Sequence, residues 1–145
     1  MYKRILLPTD GSDASRRAID SGVGFAKAVG AEVIGMTATP EFHTLTLDPD
    51  TVTANKEDYA RIARERAARM LADVESAAQA AGVPCRCEQM VSDHPYEAIL
   101  ATARQKNCYL IIMASHGRAG LKGLLMGSET QKVLIHTTIP VLVHR

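Results

Sequence analysis

The spacing of hydrophobic residues along this chain changes repeatedly between a pattern typical of strands and a pattern typical of helices. Short runs of strand-forming apolar residues occur five times, in the segments YKRILLPT, AEVIGMTAT, PCRCEQMV, CYLIIMAS and IPVLVHR. In the segments between them, apolar residues recur every three or four positions, as on one face of a helix. This βαβαβαβαβ order predicts an α/β fold, a single doubly wound five-stranded parallel sheet with helices on both faces.

Residues that begin and end helices support this division. Ser12 is a predicted N-cap for the first helix, and Gly30 and Gly82 are predicted to end the first and second helices. The second helix is predicted over about residues 54–81, preceded by one long loop over Pro40–Thr53. A helix of that length would run about 40 Å, which is longer than any strand of a small sheet.

The predicted strand order is 3-2-1-4-5, with the fourth strand beside the first. In such a sheet the ends of strand one (PTDGS) and strand four (MASHG) face each other across a crevice where ligands bind. The pattern contains no internal repeat or linker. We therefore expect one domain over residues 1–145.

Composition and charge narrow the classes of function. The chain is 46% hydrophobic and 23% charged, with a formal net charge of +1, so neither nucleic acid nor an anionic membrane is an expected partner. The first apolar run is too short for a signal peptide and no later run could span a bilayer. These features predict a cytoplasmic protein.

Cysteine and histidine spacing does not predict a metal site. The three cysteines lack the paired spacing of a zinc site or a disulfide framework. Cys85 and Cys87 fall at strand spacing, so both are expected to point to one face of the sheet in a structural role. The five histidines show no ligand spacing on one element.

Four glycines cluster in SHGRAGLKGLLMGSET, at Gly117, Gly120, Gly123 and Gly127. Such clustering indicates either backbone that needs positive φ or a ligand close to the main chain. Ser128, with glutamine three residues later, predicts a capping box at a helix start, where backbone N–H groups favour an anion. The stretch matches neither a P-loop nor G-x-G-x-x-G, and an ordinary flexible connection is the competing interpretation.

Asp10 completes a possible nucleotide site. It follows the first strand, so it would face the glycine stretch across the crevice. A carboxylate at a strand end can accept hydrogen bonds from ribose hydroxyls. Phosphate-binding backbone on one side and a ribose acceptor on the other together favour a nucleotide.

The chain resembles the universal stress protein family over its full length, through ILLPTDGS, LIIMASHGRAGL, GLLMGSETQKVL and the terminal IPVLV. Nucleotide-binding members of that family show a glycine, two residues, a glycine, nine residues and then glycine followed by Ser or Thr. Gly117, the nine residues after it, Gly127 and Ser128 match that pattern. Ala114 stands in place of its first glycine.

The resemblance implies roles for particular residues. The predicted adenine and ribose contacts are Pro8, Thr9, Asp10, Ala38 and Met113. The predicted phosphate contacts, made mainly through backbone groups, are Ala114, Gly117, Gly127, Ser128, Glu129 and Thr130. Arg118 and Lys122 could offset the negative charge that Glu129 brings near phosphates.

The function implied by the resemblance is an ATP-binding protein of stress response or signalling, in which the nucleotide, with or without magnesium, is a regulatory ligand. No catalytic residue is assigned, and any ATP hydrolysis is expected to be slow. The apolar terminal strand would be an exposed edge, which together with the resemblance predicts a homodimer through that strand.

Three other functions remain open. A weak ATP hydrolase would use His116 as general base, although no second catalytic partner is evident. An interaction module of the same fold would bind no nucleotide. A phosphoacceptor receiver would use Asp10, but would also need further acidic residues at strand one, an acceptor after strand three and a lysine near the last strand, where this chain has TTIP.

Overall fold

The computed structural model describes residues 1–43, 48–117 and 126–145. Strands and helices alternate in the predicted order throughout these residues. The elements are β1 (Arg4–Pro8), α1 (Asp13–Val29), β2 (Glu32–Thr39), α2 (Pro49–Ala81), β3 (Cys85–Val91), α3 (Pro95–Gln105), β4 (Leu110–Ala114), α4 (Ser128–His136) and β5 (Val141–His144).

The five strands form one sheet in the order β3-β2-β1-β4-β5, and every neighbouring pair is parallel. The predicted fold class and strand order are therefore confirmed. Because β2 and β4 lie on opposite sides of β1, the connection from β1 to β2 and the later return to β4 leave a crevice at the carboxyl ends of β1 and β4.

Alternating side chains of the central strands fill two cores, one on each face of the sheet. Ile5 and Leu7 of β1 pack with residues of α1 and α2, whereas Leu6 packs with residues of α3 and α4. All three side chains are at most 1% exposed. The near-continuous apolar sequence of β1 and β4 follows from this burial on both faces.

Helix α2 begins earlier than the sequence predicted. Asp48 is its N-cap, and its carboxylate accepts hydrogen bonds from the backbone N–H (3.3 Å) and the hydroxyl of Thr51. Pro49 occupies the first turn, where its missing N–H costs nothing. The predicted loop over Pro40–Thr53 is thus wrong in its C-terminal part, because the Asp-Pro pair signals a helix start that the apolar period does not.

The 33 residues of α2 make a helix about 50 Å long, and its first half extends beyond the core. Its buried residues begin only at Ala67. Nearer the N-terminus, the Tyr59 hydroxyl donates to the Pro40 carbonyl at 2.8 Å, and the Tyr59 ring packs against Phe42. No helix of the described residues is both long and apolar enough to cross a membrane.

The predicted start of α1 and the predicted ends of α1 and α2 agree with the structure. The Ser12 hydroxyl caps α1 by accepting from Ser15 N at 3.2 Å, and Gly30 and Gly82 end their helices with φ of 69° and 71°. These left-handed values favour glycine.

The predicted capping box at the start of α4 is wrong. The N-cap is Gly127, which has no side chain to accept a hydrogen bond, and Ser128 is the first residue of the helix. The Gln131 side-chain amide donates instead to the Met126 carbonyl at 3.1 Å. Helix α4 therefore begins without a side-chain cap.

Candidate functional site

A pocket of about 590 Å³ opens at the carboxyl ends of the central strands. This volume lies within the usual range for small-molecule sites. All eleven residues that the sequence predicted for a nucleotide site line this one pocket: Pro8, Thr9, Asp10, Ala38, Met113, Ala114, Gly117, Gly127, Ser128, Glu129 and Thr130. The fold brings them together from four strand and helix ends that are far apart in sequence.

Asp10 is oriented by the start of α1. Its Oδ1 accepts a hydrogen bond from Ser12 N at 2.9 Å and another from the Ser15 hydroxyl at 2.8 Å. Gly11 makes the turn between Asp10 and the helix with φ of 76°, and its N–H donates to the Thr9 hydroxyl at 3.1 Å. The carboxylate is therefore held in one orientation at the pocket wall.

Gly117 lies against the other carboxylate oxygen. A Cβ at this position would be 2.6 Å from Oδ2 of Asp10, closer than two such atoms can approach. The φ of Gly117 is not in the left-handed region. A glycine is therefore needed at this position because Asp10 approaches it closely across the crevice. A side chain here would displace that carboxylate.

Gly127 has a similar explanation. Its φ of −70° suits any residue. Its N–H donates to the carbonyl of Ser115, and a Cβ would stand 3.2 Å from that oxygen and 3.4 Å from the Cα of His116. Close contact between the start of α4 and the chain after β4 therefore accounts for this glycine. Gly120, Gly123, Arg118 and Lys122 lie outside the described residues.

The negative charge of Glu129 is partly balanced by neighbouring groups. Its Oε2 accepts a hydrogen bond from Tyr96 N at 2.9 Å, in the first turn of α3. Its Oε1 lies 3.1 Å from Nζ of Lys132, which is also 5.5 Å from the centroid of the Tyr96 ring. A carboxylate at a helix N-terminus and beside an ammonium group is stabilised, and its repulsion of an anion is reduced.

The first turn of α4 presents backbone N–H groups at the pocket. N–H groups in the first turn of a helix have no partner within the helix, and the helix dipole makes them favourable sites for an anion. The hydroxyl of Thr130 is not part of this arrangement, because it donates to the carbonyl of Ala114 at 3.0 Å and is buried. It fixes α4 to the end of β4.

The opposite part of the pocket is apolar. Met36 and Ala38 of β2 and Met113 of β4 line it together with Ile99 of α3. Thr9 closes one side, and its N–H is paired with the carbonyl of Met36 at 2.9 Å. A flat apolar group fits such a wall, whereas an anion fits the helix start across from it.

Several lining residues were not predicted for the site. Ser15, Met36, Pro95 and Ile99 also line the pocket, as does His116, which the sequence suggested only as a possible base. Met36 could have been found, because it lies two residues before Ala38 and therefore on the same face of β2. The contributions of α3 depend on its packing beside α4, which no local pattern reports.

His116 is next to a buried hydroxyl. Its Nδ1 is 2.9 Å from Oγ of Ser115, whose residue is 5% exposed. This contact orients the ring at the pocket.

The two cysteines of β3 and His43 do not line this pocket. Cys85 and Cys87 point to the same face of β3, and their sulfur atoms are 4.0 Å apart. His43, however, meets Glu41 and Asp93 at the ends of β2 and β3, with Nε2 of His43 2.7 Å from Oδ2 of Asp93. All three residues are exposed or nearly so, and their mutual contacts account for their positions.

An open parallel sheet with a pocket at its switch point defines the doubly wound α/β class of proteins, in which ligands bind beyond the carboxyl ends of the strands. The model of the universal stress protein family matches residues 1–145. The chain belongs to the universal stress protein family.

Individual relatives agree over the whole length. A universal stress protein of Thermus aquaticus is 32% identical over 100% of both chains. The structure of protein MJ0577 of Methanocaldococcus jannaschii superposes with a TM-score of 0.84 at 28% identity, covering 99% of this chain and 95% of that one.

Two other structures with this fold are complexes with nucleotides. One is a universal stress protein with cAMP (TM-score 0.73, 24% identity, 99% of this chain and 97% of that one). The other is the Archaeoglobus fulgidus protein with dAMP (TM-score 0.68, 18% identity, 99% and 98%). At these identities the likeness to this chain is one of fold.

Proposed function

We propose that this universal stress protein binds ATP in the pocket at the ends of β1 and β4, and that the nucleotide is a regulatory ligand in a stress response. The observation that carries the proposal is the meeting of Asp10, an apolar wall and the start of α4 around one cavity of about 590 Å³. Each part suits a different part of a nucleotide.

Each of the three parts is assigned to one group of ATP. The apolar wall of Ala38 and Met113 would take adenine, and Asp10 would accept hydrogen bonds from ribose hydroxyls. The N–H groups of Ser128 and its helical neighbours would bind phosphates, alone or with magnesium. The proteins of this fold that hold cAMP and dAMP have ligands with the same base.

A regulatory ligand is a better proposal than the substrate of a fast reaction. The phosphates are proposed to bind to backbone N–H groups at the start of α4, which hold a phosphate group in the ground state as well as in a transition state. Electrostatic groups that stabilise a transition state are usually the largest contribution to phosphoryl transfer. We therefore expect slow hydrolysis at most.

Calorimetric titration with ATP, GTP and adenosine tests the proposal. We expect ATP to bind more tightly than GTP, because the adenine wall offers no side chain that would match the guanine edge. Nucleotide retained by freshly purified protein would be identified by chromatography. Equal binding of ATP and GTP would contradict the preference for adenine. Binding of neither at millimolar concentration would contradict the proposal and favour an interaction module.

A homodimer through β5 is part of the same proposal. β5 is the outermost strand on its side of the sheet, and Leu142 is 38% exposed there. Leu134 and Ile135 of the neighbouring α4 are also exposed, at 39% and 76%. A second copy that pairs with this strand would cover an apolar edge, which proteins otherwise protect.

A further inference from the structure

Cys85 and Cys87 form a pair of thiols on β3, outside the nucleotide pocket. β3 is an outermost strand of the sheet, and the side chains of both cysteines pack against the core beneath α2. Their sulfur atoms are 4.0 Å apart, and both residues are only partly buried. The pair is therefore reachable from solvent, unlike the buried Cys108.

The space for the pair is created by a glycine of the adjacent strand. Gly35 is the register partner of Cys87 on β2. A Cβ on Gly35 would lie 2.8 Å from the sulfur of Cys87 and 3.0 Å from Cγ1 of Val74. The missing side chain lets the Cys87 sulfur lie over β2 and remain on the same side as the sulfur of Cys85.

The two thiols also interact through a hydrogen bond between their sulfur atoms. The hydrogen bond from Cys87 lowers the pKa of Cys85, whereas the same contact and burial raise the pKa of Cys87. The first sulfur therefore loses its proton more easily, and the second keeps its proton next to the resulting thiolate. A thiophilic cation would remove the repulsion between two thiolates and allow both to ionise.

We propose that Cys85 and Cys87 bind one soft monovalent metal ion, of which copper(I) is the representative, between their two sulfur atoms. In this reaction two thiols and one copper(I) ion give a bis-thiolate complex and release two protons. No oxidation or reduction takes place. This site is independent of the nucleotide proposal.

The distance between the sulfurs suits a bridging metal better than a disulfide. Two metal–sulfur bonds of about 2.3 Å, the length of a zinc–thiolate bond, would span sulfurs 4.0 Å apart at an angle of about 120°. A linear arrangement would need about 4.6 Å between the sulfurs, which small rotations of two side chains can supply. A disulfide would require the sulfurs to close to about 2.05 Å.

The strand opposes that closure. Alternate residues of a strand lie about 6.6 Å apart at Cα, near the upper limit for a disulfide. β3 is held to β2 by a parallel register of seven residue pairs, from Val33 with Cys85 to Thr39 with Val91. Shortening the Cα distance would disturb this ladder.

The number of donors favours copper(I) over zinc. Soft thiolates select copper(I), zinc and iron–sulfur clusters, but zinc takes three or four protein ligands and the clusters take four. Among the described residues, the one group of three or more His, Cys, Asp or Glu donors within ligand range of one another is Glu41, His43 and Asp93, which does not include this pair. Two sulfurs alone satisfy a monovalent soft ion.

Anaerobic titration with copper(I) in the presence of a chromogenic copper(I) chelator tests the proposal. The full chain should withdraw one ion per molecule and release two protons per ion in weak buffer. Cys85→Ser and Cys87→Ser should each weaken binding by more than the roughly 10–100-fold that loss of an outer-shell partner costs. The matched control, Cys108→Ala, removes the buried thiol and should bind as the parent does.

Folding and competing outcomes are separated by further measurements. Cys85→Ala and circular dichroism distinguish loss of a ligand from loss of structure, and X-ray absorption should find two sulfur neighbours around copper. Binding that survives either cysteine substitution, or tighter binding of zinc than of copper(I), would overturn the proposal. The proposal would also be overturned if the protein failed to bind copper(I) but formed a Cys85–Cys87 disulfide with oxidised glutathione, which accepts the two hydrogens of the thiols.

Discussion

At the scale of single residues, Asp10 is the best-defined group of the pocket. Hydrogen bonds from Ser12 N and the Ser15 hydroxyl to one oxygen fix its carboxylate, and Gly117 leaves space for the other oxygen. An acceptor held in advance loses little freedom when a ligand binds. Removal of the Asp10 carboxylate should therefore weaken the binding of every ligand that contains ribose.

Replacing Asp10 with alanine should weaken adenosine and ATP binding by a similar factor, because both ligands contain ribose. Loss of a charge-assisted hydrogen bond costs about 1.5–3 kcal/mol, which is roughly a 10-fold to 100-fold change in affinity. Calorimetry with both ligands measures the factor. Asp13→Ala, which removes a neighbouring exposed carboxylate outside the pocket, is the control and should bind normally. Unchanged adenosine binding by Asp10→Ala would exclude it as the ribose acceptor.

Cys85 should react with iodoacetamide before Cys87 and Cys108. The thiolate is the reactive form, so a lowered pKa speeds alkylation at neutral pH. The hydrogen bond from Cys87 lowers the pKa of Cys85, whereas burial raises the pKa of Cys108 to about 11. Peptide mapping by mass spectrometry after short exposures gives the order. Early labelling of Cys108 in folded protein would disagree with its burial.

At the scale of elements, two helices depend on glycine for different reasons. In α1, Gly22 faces the sheet, and a Cβ there would lie 2.5 Å from Cδ2 of the buried Leu7. Gly24, in the same helix, would meet nothing within 4 Å. At the start of α4, Gly127 contacts the chain after β4.

Gly22→Ala and Gly24→Ala should change stability in opposite directions. Alanine in a helix interior is better than glycine by about 1 kcal/mol, and Gly24→Ala should gain part of that. Gly22→Ala adds overpacking against Leu7, which typically costs about 1–3 kcal/mol, so a net loss is expected. Urea denaturation of both variants measures the difference. If Gly22→Ala were as stable as Gly24→Ala, α1 would not pack closely on β1.

Gly127→Ala should weaken ATP binding more than adenosine binding. The φ of −70° accepts alanine without strain, but the Cβ would press on the carbonyl of Ser115 at 3.2 Å and shift the start of α4. The N–H groups proposed to bind phosphates would move with it, whereas adenosine has no phosphate. Parallel titrations of both ligands, with circular dichroism, make the comparison. If the folded variant bound ATP with unchanged affinity, the start of α4 would not be the phosphate-binding part of the pocket.

At the scale of the whole molecule, the two outer strands differ in their exposed apolar side chains. β5 carries Leu142 beside the exposed Leu134 and Ile135 of α4. β3 ends in Val91, which is 59% exposed, and pairs along seven residues with β2. A proposed dimer through β5 would cover the first surface and leave the second in solvent.

Leu142→Lys should therefore convert a dimer to a monomer, because a pair of ammonium groups would meet across the two-fold axis in an apolar contact. Val91→Lys places the same charge on the opposite edge of the sheet and should leave the dimer intact. Light scattering at micromolar concentration measures the mass of each variant. A parent protein that is monomeric under these conditions would contradict the dimer itself.

The sequence by itself determined the order of elements, since that order depends on local signals. The strand order was predicted for a doubly wound sheet, and most pocket residues were predicted from the resemblance to the universal stress protein family. Apolar periodicity distinguishes strand from helix, and residues such as Asp10 and Gly117 stand at strand ends that a doubly wound sheet must bring together. The same local reasoning missed the start of α2, because Asp48 and Pro49 precede the apolar period.

Only the tertiary structure decided why particular residues are needed. It assigned Gly117 and Gly127 to close contacts with Asp10 and Ser115, not to positive φ, and it turned Glu129 toward the N-terminus of α3. It also added α3 to the pocket wall. These features depend on distances between segments remote in sequence, and such distances follow from packing on the sheet, which no periodicity along the chain records.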